Sequence, residues 1–387
     1  MSDGGSAYVR ALATSLSDSN KELSETYGRF ASLYDRKLWH QLSDGLEVLV
    51  KGAPSSISFE ALAELYQEFV ASFADKLNQI KVVELASLIS RGLADTKVGF
   101  EFLKLALDKP HVKADEEANA FAACELAVFH LEFDEEASAK NAIANARLLV
   151  NGRSQLSRPV YSSFYRLVAK YHKVNGPPEA FYKNAMYYLA YTPLELLSQD
   201  AQSALAFDLS LSALVGENVF SFGELIGHEI FGTLEASGKK WLGDLLRAFN
   251  AGDIDKYDEI VSANGEKLAA QPVLVRYKTL LKQKISVLAL MELVMSRENR
   301  TIDFQTIAET SKLPLEEVEI LVMKALSKNL VRGSIDEIDQ TVTFTWVQPR
   351  ALTVDQIAQM KDRLGEWSGT VNNTLDFLND QTAEMFK

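Results

Sequence analysis

Residues 330–350 read LVRGSIDEIDQTVTFTWVQPR. Within them Val342, Phe344 and Trp346 alternate with Thr341, Thr343 and Thr345, the period-two pattern of a half-buried strand. VRGSIDE supplies a partner strand, and the two join around Ile338-Asp339. The stretch therefore predicts a β-hairpin. It stands near the end of a chain that otherwise reads as helix. Few β-branched alternations precede residue 330, and only nine prolines and twenty glycines punctuate the 387 residues.

Working upstream, KISVLALMELVMSRE (284–298) predicts a helix with an almost continuous apolar face. TIDF (301–304) predicts a very short strand, and FQTIAETS a short helix with Ile302, Ile307 and Ala308 facing inward. Lys312-Leu313 turns the chain. Pro314 is expected in the first turn of a third helix, where its missing N–H costs nothing. Glu316 and Glu317 suit the positive end of that helix, and Val318, Leu321, Val322, Ala325 and Leu326 form its core face. Helix, short strand, helix, turn, helix, hairpin is the winged-helix arrangement, and the hairpin is its wing.

A winged helix invites a DNA-binding reading, with the third helix in the major groove. The charges oppose it. Between Pro314 and Val347 stand Glu316, Glu317, Glu319, Asp336, Glu337 and Asp339 against Lys324, Lys328 and Arg332, a net of −3. The whole chain carries −13, with 40 Lys and Arg against 53 Asp and Glu. Such a chain repels phosphate unless a separate basic patch exists. A strand edge at the wing instead suits pairing with a protein.

Downstream, DQIAQMKDRLGEWSGTVNNTLDFLNDQTAEMF (355–386) predicts a long amphipathic helix. Ile357, Met360, Leu364, Trp367, Val371, Leu375, Leu378 and Met385 fall at steps of 3, 4, 3, 4, 4, 3 and 7, close to a heptad seam. That is more apolar face than one small winged helix needs, so a partner helical bundle is expected.

The N-terminal part predicts paired helices. Phe121, Cys124, Val128 and Leu131 form one apolar stripe, and Ala139, Ile143, Ala146 and Val150 the next. Asp134 is expected to cap the second helix, which ends at Asn151-Gly152. Val98, Phe102 and Leu105 predict a similar stripe. Imperfect units of roughly 35–45 residues predict a tetratricopeptide-like solenoid. Gly176-Pro177-Pro178 marks a break. Beyond it, Tyr182, Tyr187, Tyr188 and Tyr191 are expected to fill grooves between helices, since only Lys183 is interleaved and base stacking needs a basic track. Further on, Ala251-Gly252 predicts a tight turn and Asp253 a helix cap.

No catalytic or cofactor motif emerges. His40, His111, His130, His172 and His228 are scattered, and HEIFG has Gly232 where a zinc-protease helix needs its second His. One cysteine, Cys124, provides neither a disulfide framework nor a structural zinc set. Around Gly238-Lys239, Thr233 and Lys240 replace the first glycine and the Ser or Thr of a phosphate-binding loop. MSDGGSAYVRALATSLSDSN has no basic start leading into an apolar run, and no run of about 18 apolar residues exists. The expectation is a protein of the cytoplasm and nucleus, with no catalytic residues, metal, cofactor, small-molecule substrate, nucleic acid or membrane.

LVMKALSKNLVRGSIDEIDQTVTFTWVQPR, with WLGDLLRAFNAGD upstream, resembles the PCI-domain family of proteasome regulatory-particle lid subunits. The resemblance is strongest over about 220–365. It implies an all-α fold: a right-handed helical-repeat solenoid, then a PCI module ending in a winged helix with a small β-hairpin, then a long C-terminal helix. The expected divisions are 1–170 for the repeats, 171–283 for the helical part of the PCI domain, 284–350 for the winged helix and 351–387 for a bundle helix. It further implies a non-catalytic scaffold among other lid subunits of the PCI and MPN types. Its interface candidates are Val342, Phe344 and Trp346 in a winged-helix array, and Ile357, Met360, Leu364, Trp367, Val371, Leu375 and Leu378 in a helix bundle. A PCI scaffold of the COP9 signalosome or of translation initiation, and a nucleic-acid adaptor, remain alternatives.

Overall fold

A computed structural model describes residues 4–15, 21–52, 57–152, 156–297, 300–351 and 354–382. The fold is all-α apart from one small sheet near the C-terminus, and it divides into two compact units, Met1–Leu196 and Leu197–Lys387.

The first unit runs through α1 (Gly4–Ser15), α2 (Lys21–Asp35), α3 (Trp39–Gly52), α4 (Phe59–Glu68), α5 (Gln79–Gly92) and α6 (Thr96–Leu107). It continues with α7 (Pro110–Ala114), α8 (Glu116–Glu132), α9 (Glu136–Gly152), α10 (Arg158–Asn175) and α11 (Pro178–Tyr191). Antiparallel neighbours pack on the stripes read above: Phe121, Cys124 and Val128 are buried on α8, and Ala139, Ile143 and Ala146 on α9. Burial, and secondarily Glu125, pushes the Cys124 thiol up to about 12, so it acts as a small apolar side chain.

Two local features depart from the sequence expectation. Asp134 does not cap α9. It sits in the left-handed region at φ 60° and closes α8, with Glu135 N–H donating to His130 C=O at 2.8 Å and Asp134 N–H to Leu131 C=O at 3.3 Å. That is the paired bonding of a Schellman ending. On α6, Val98 and Leu105 are exposed and only Phe102 of the expected stripe is buried. The inward face is Gly99, Phe102, Leu103 and Ala106, because α6 crosses α5 closely: a Cβ on Gly99 would stand 2.6 Å from the Ser90 carbonyl oxygen. The small residue decides which of two apolar faces turns inward.

A buried carboxylate ties three helices together. Glu125 on α8 is 1% exposed. It accepts from Arg91 of α5, and from Arg166 of α10 at 2.7 Å and Ser163 of α10. Burial alone would raise its pKa, but Arg166 and then Arg91 overcome that and hold it at about 2. Tyr182 and Tyr188 are buried, while Tyr191 stacks on Tyr161 (4.8 Å) and Tyr165 (5.7 Å) between α10 and α11. Tyr182, Tyr188 and Tyr191 fill a helix groove as expected, whereas Tyr187 is exposed.

The second unit opens with α12 (Gln199–Val215), α13 (Gly223–Gly227), α14 (Gly232–Ala236), α15 (Lys240–Ala251), α16 (Ile254–Ala263), α17 (Gly265–Ala269) and α18 (Pro272–Arg276). Gly252 ends α15 at φ 67°, and the Asp253 side chain accepts the Lys256 N–H at 3.0 Å to start α16. The winged helix follows: α19 (Lys278–Ser296), β1 (Thr301–Asp303), α20 (Phe304–Ser311), α21 (Leu315–Ser327), β2 (Val331–Asp336) and β3 (Thr341–Val347). Its antiparallel sheet has the order β1-β3-β2. Ile302, Ile307, Val318, Leu321, Val322 and Ala325 are buried as expected. Pro314 stands one position earlier than expected, as the N-cap of α21. The 29-residue α22 (Val354–Thr382) ends the described chain.

Candidate partner-binding site

The wing is built around β3, which pairs with β1 on one side and β2 on the other. Asp303 caps α20 by accepting from the Thr306 hydroxyl and N–H, which hold its carboxyl below the usual range. β2 is left as an edge strand. Its register slips between Arg332 and Gly333, so that Arg332 faces Trp346 while Gly333 faces Phe344. Only glycine fits there, because a Cβ on Gly333 would stand 2.3 Å from the Thr343 carbonyl oxygen. The bulge twists the strand end.

That twist separates three residues which the sequence made equivalent. Val342 and Phe344 are 0% and 1% exposed and pack in the domain's own core. Their side chains are spent on folding, and the surface they were expected to offer narrows to Trp346, which is 39% exposed. At the wing tip Ile338 is 94% exposed. The Asp336 carboxylate braces that tip by accepting the N–H groups of Ile338 (3.1 Å) and Asp339 (3.2 Å). On α21, Ile320 and Met323 are exposed, as are Glu316 and Glu317. Where a DNA-reading helix would present donors, this one presents apolar side chains and carboxylates.

α22 supplies the larger surface. Ile357, Met360, Leu364, Trp367, Val371, Leu375 and Leu378 lie along one stripe and are 47–68% exposed. Met385 lies outside the described residues. Each side chain keeps roughly half of its ~2 kcal/mol of burial free energy in reserve, so the seam offers several kcal/mol to whatever covers it. Phe377, Ile338, Ile320 and Met323 are exposed apolar residues that pattern reading passed over. Phe377 lies off the heptad seam, and a lone Ile in a turn carries no periodicity.

Among the described residues no three His, Cys, Asp or Glu side chains come together as a metal site, and no helix is long and apolar enough to cross a membrane.

Residues 26–246 match the family model described as PSD13 N-terminal repeats, and 259–346 match the PCI domain. The chain is 36% identical over 373 residues to 26S proteasome non-ATPase regulatory subunit 13 homolog B of Arabidopsis thaliana, covering 95% of this chain and 96% of that protein. The chain belongs to the family of 26S proteasome non-ATPase regulatory subunit 13. A second member of that family, from Dictyostelium discoideum, is 36% identical over 94% of this chain and 95% of its own length. Translation initiation factor 3 subunit M of Aspergillus oryzae is similar over only 55% of this chain and 46% of its own length, at 27% identity. The proteasomal family accounts for both units, whereas the initiation-factor likeness leaves nearly half the chain unmatched.

Proposed function

We propose that this chain is a non-catalytic scaffold subunit of the proteasome regulatory-particle lid, working in cytoplasm and nucleus. It joins other lid subunits of the PCI and MPN types and thereby supports ubiquitin-dependent protein degradation. Its contacts are the exposed wing surface around Trp346 and the apolar seam of α22. Its functional divisions are the repeats (1–170), the helical part of the PCI domain (171–283), the winged helix (284–350) and the bundle helix (351–387). The observation that carries the reading is the seam: seven apolar side chains at heptad-like spacing, all 47–68% exposed in the isolated chain. Carboxylates at the start of α21 and on the wing tip disfavour the nucleic-acid alternative.

Tagged chain purified from cells should bring down lid subunits in stoichiometric amounts, and it should not retain RNA or DNA at about 0.15 M salt. Recovery of the chain alone, or with nucleic acid in their place, refutes the proposal.

A further inference from the structure

Three cations reach from the winged helix to backbone carbonyls at, or just past, the ends of two helices outside it. Lys284 of α19 is 3% exposed. Its Nζ donates to the carbonyl oxygens of Ala213 (2.7 Å), Leu214 (3.1 Å) and Gly216 (2.8 Å), at the end of α12. The ammonium also lies 5.1 Å from the Phe222 ring centroid and 5.6 Å from that of Phe220. Lys328, which ends α21, donates to the Glu217 carbonyl at 2.9 Å and lies 5.5 Å from the same Phe220 ring. Arg350, just past β3, donates to the Asn250 carbonyl at 3.1 Å in the last turn of α15 and pairs with Glu292 of α19.

The chemistry of the Lys284 and Arg350 contacts is shared, while Lys328 meets the turn just past the α12 cap. The last carbonyls of a helix lack intrahelical donors and carry the negative end of its dipole. An ammonium has three donors, and Lys284 aims them at three such oxygens. Leu or Met would suit the apolar face of α19 better, since an unpaired buried charge is strongly unfavourable. What lysine alone adds is the satisfaction of the α12 end. The three cations come from the first helix of the winged helix, from the end of its third helix and from the end of its wing. Two separated points of attachment, one at the end of α12 shared by Lys284 and Lys328 and one at the end of α15 held by Arg350, oppose rotation of one body on another.

We propose that Lys284, Lys328 and Arg350 form a clamp that fixes the angle at which the winged helix is held on the α12–α15 part of its own unit, and so the angle at which the wing is offered to other subunits. The last clause rests on the scaffold reading above. The three are positioning residues: they act through the orientation of the wing.

The test is hydrogen exchange on the full chain at the amides of 217–222, combined with incorporation into co-expressed lid subunits. Lys284→Met keeps the aliphatic stem and removes the donors. Lys328→Met does the same at an exposed site where folding is not at stake. Each should speed exchange at 217–222 about tenfold or more, leave protection of α21 and β3 at the wild-type level, and lower incorporation several-fold. Unchanged exchange at 217–222 in Lys328→Met overturns the clamp. So does full incorporation of a Lys284→Met chain with wild-type circular dichroism. Failure of the wild-type chain itself to incorporate defeats the scaffold reading instead, and the exchange rates still decide the clamp.

Discussion

Arg332 lies over the ring of Trp346, its guanidinium carbon 4.9 Å from the ring centroid, where the two residues face each other on β2 and β3. The pair marks where the wing stops serving its own core. Phe344→Ala should destabilise the winged helix by about 3–5 kcal/mol, as a buried aromatic truncation does. Trp346→Ala should cost only about 1–2 kcal/mol, since its ring is partly exposed and its cation–π contact is worth about 1. Denaturant unfolding gives both values, and lid binding should weaken more for Trp346→Ala than its stability loss explains.

The α22 seam makes the opposite prediction for stability. Leu364 and Trp367 are 57% and 68% exposed. Leu364→Glu with Trp367→Glu should leave the melting of the isolated chain within about 0.5 kcal/mol per substitution, the usual range for surface changes. The same pair should abolish association with lid subunits in a pull-down, because a partner helix would then bury two charges.

The Glu125 cluster predicts a pH dependence. Its carboxyl is held at about 2 against an ordinary 4.5. A depressed carboxyl stabilises the folded state fully above the ordinary value, and that stabilisation fades as pH falls from about 4.5 towards 2. The shift corresponds to about 3 kcal/mol. Glu125→Gln should be less stable near neutrality, because Arg166 loses its partner, and should lose most of the acid sensitivity in that window. Exchange of the α8 amides at pH 2.5 and 6 checks both statements.

Gly252 predicts a local cost. Its φ is +67°, and a Cβ there would stand 2.9 Å from Ala289 Cα and 3.0 Å from the Leu288 carbonyl oxygen. Gly252→Ala should therefore destabilise by more than about 1 kcal/mol, through backbone strain and crowding of α19 together. Thermal unfolding of the variant measures it.

Elements whose signal is local were legible in the sequence. The alternation around Phe344 gave the wing, the Ala251-Gly252-Asp253 turn gave the junction of α15 and α16, and the steps from Ile357 to Leu378 gave α22 and its apolar face. Features set by distant partners were not. The two apolar faces of α6 look alike until α5 crosses at Gly99, and Asp134 reads as the N-cap of α9 although it closes α8. Val342, Phe344 and Trp346 share one period, and only the bulge opposite Gly333 parts them. Lys284 sits inside an apolar run and looks like an interruption, because the carbonyls it serves lie about 70 residues earlier.

The most direct test removes residues 353–387 and follows lid assembly on native gels. The account predicts that the shortened chain keeps its helical circular dichroism signal and cooperative melting yet fails to enter the lid. Entry at the level of the intact chain would contradict the claim that the C-terminal seam is what association covers.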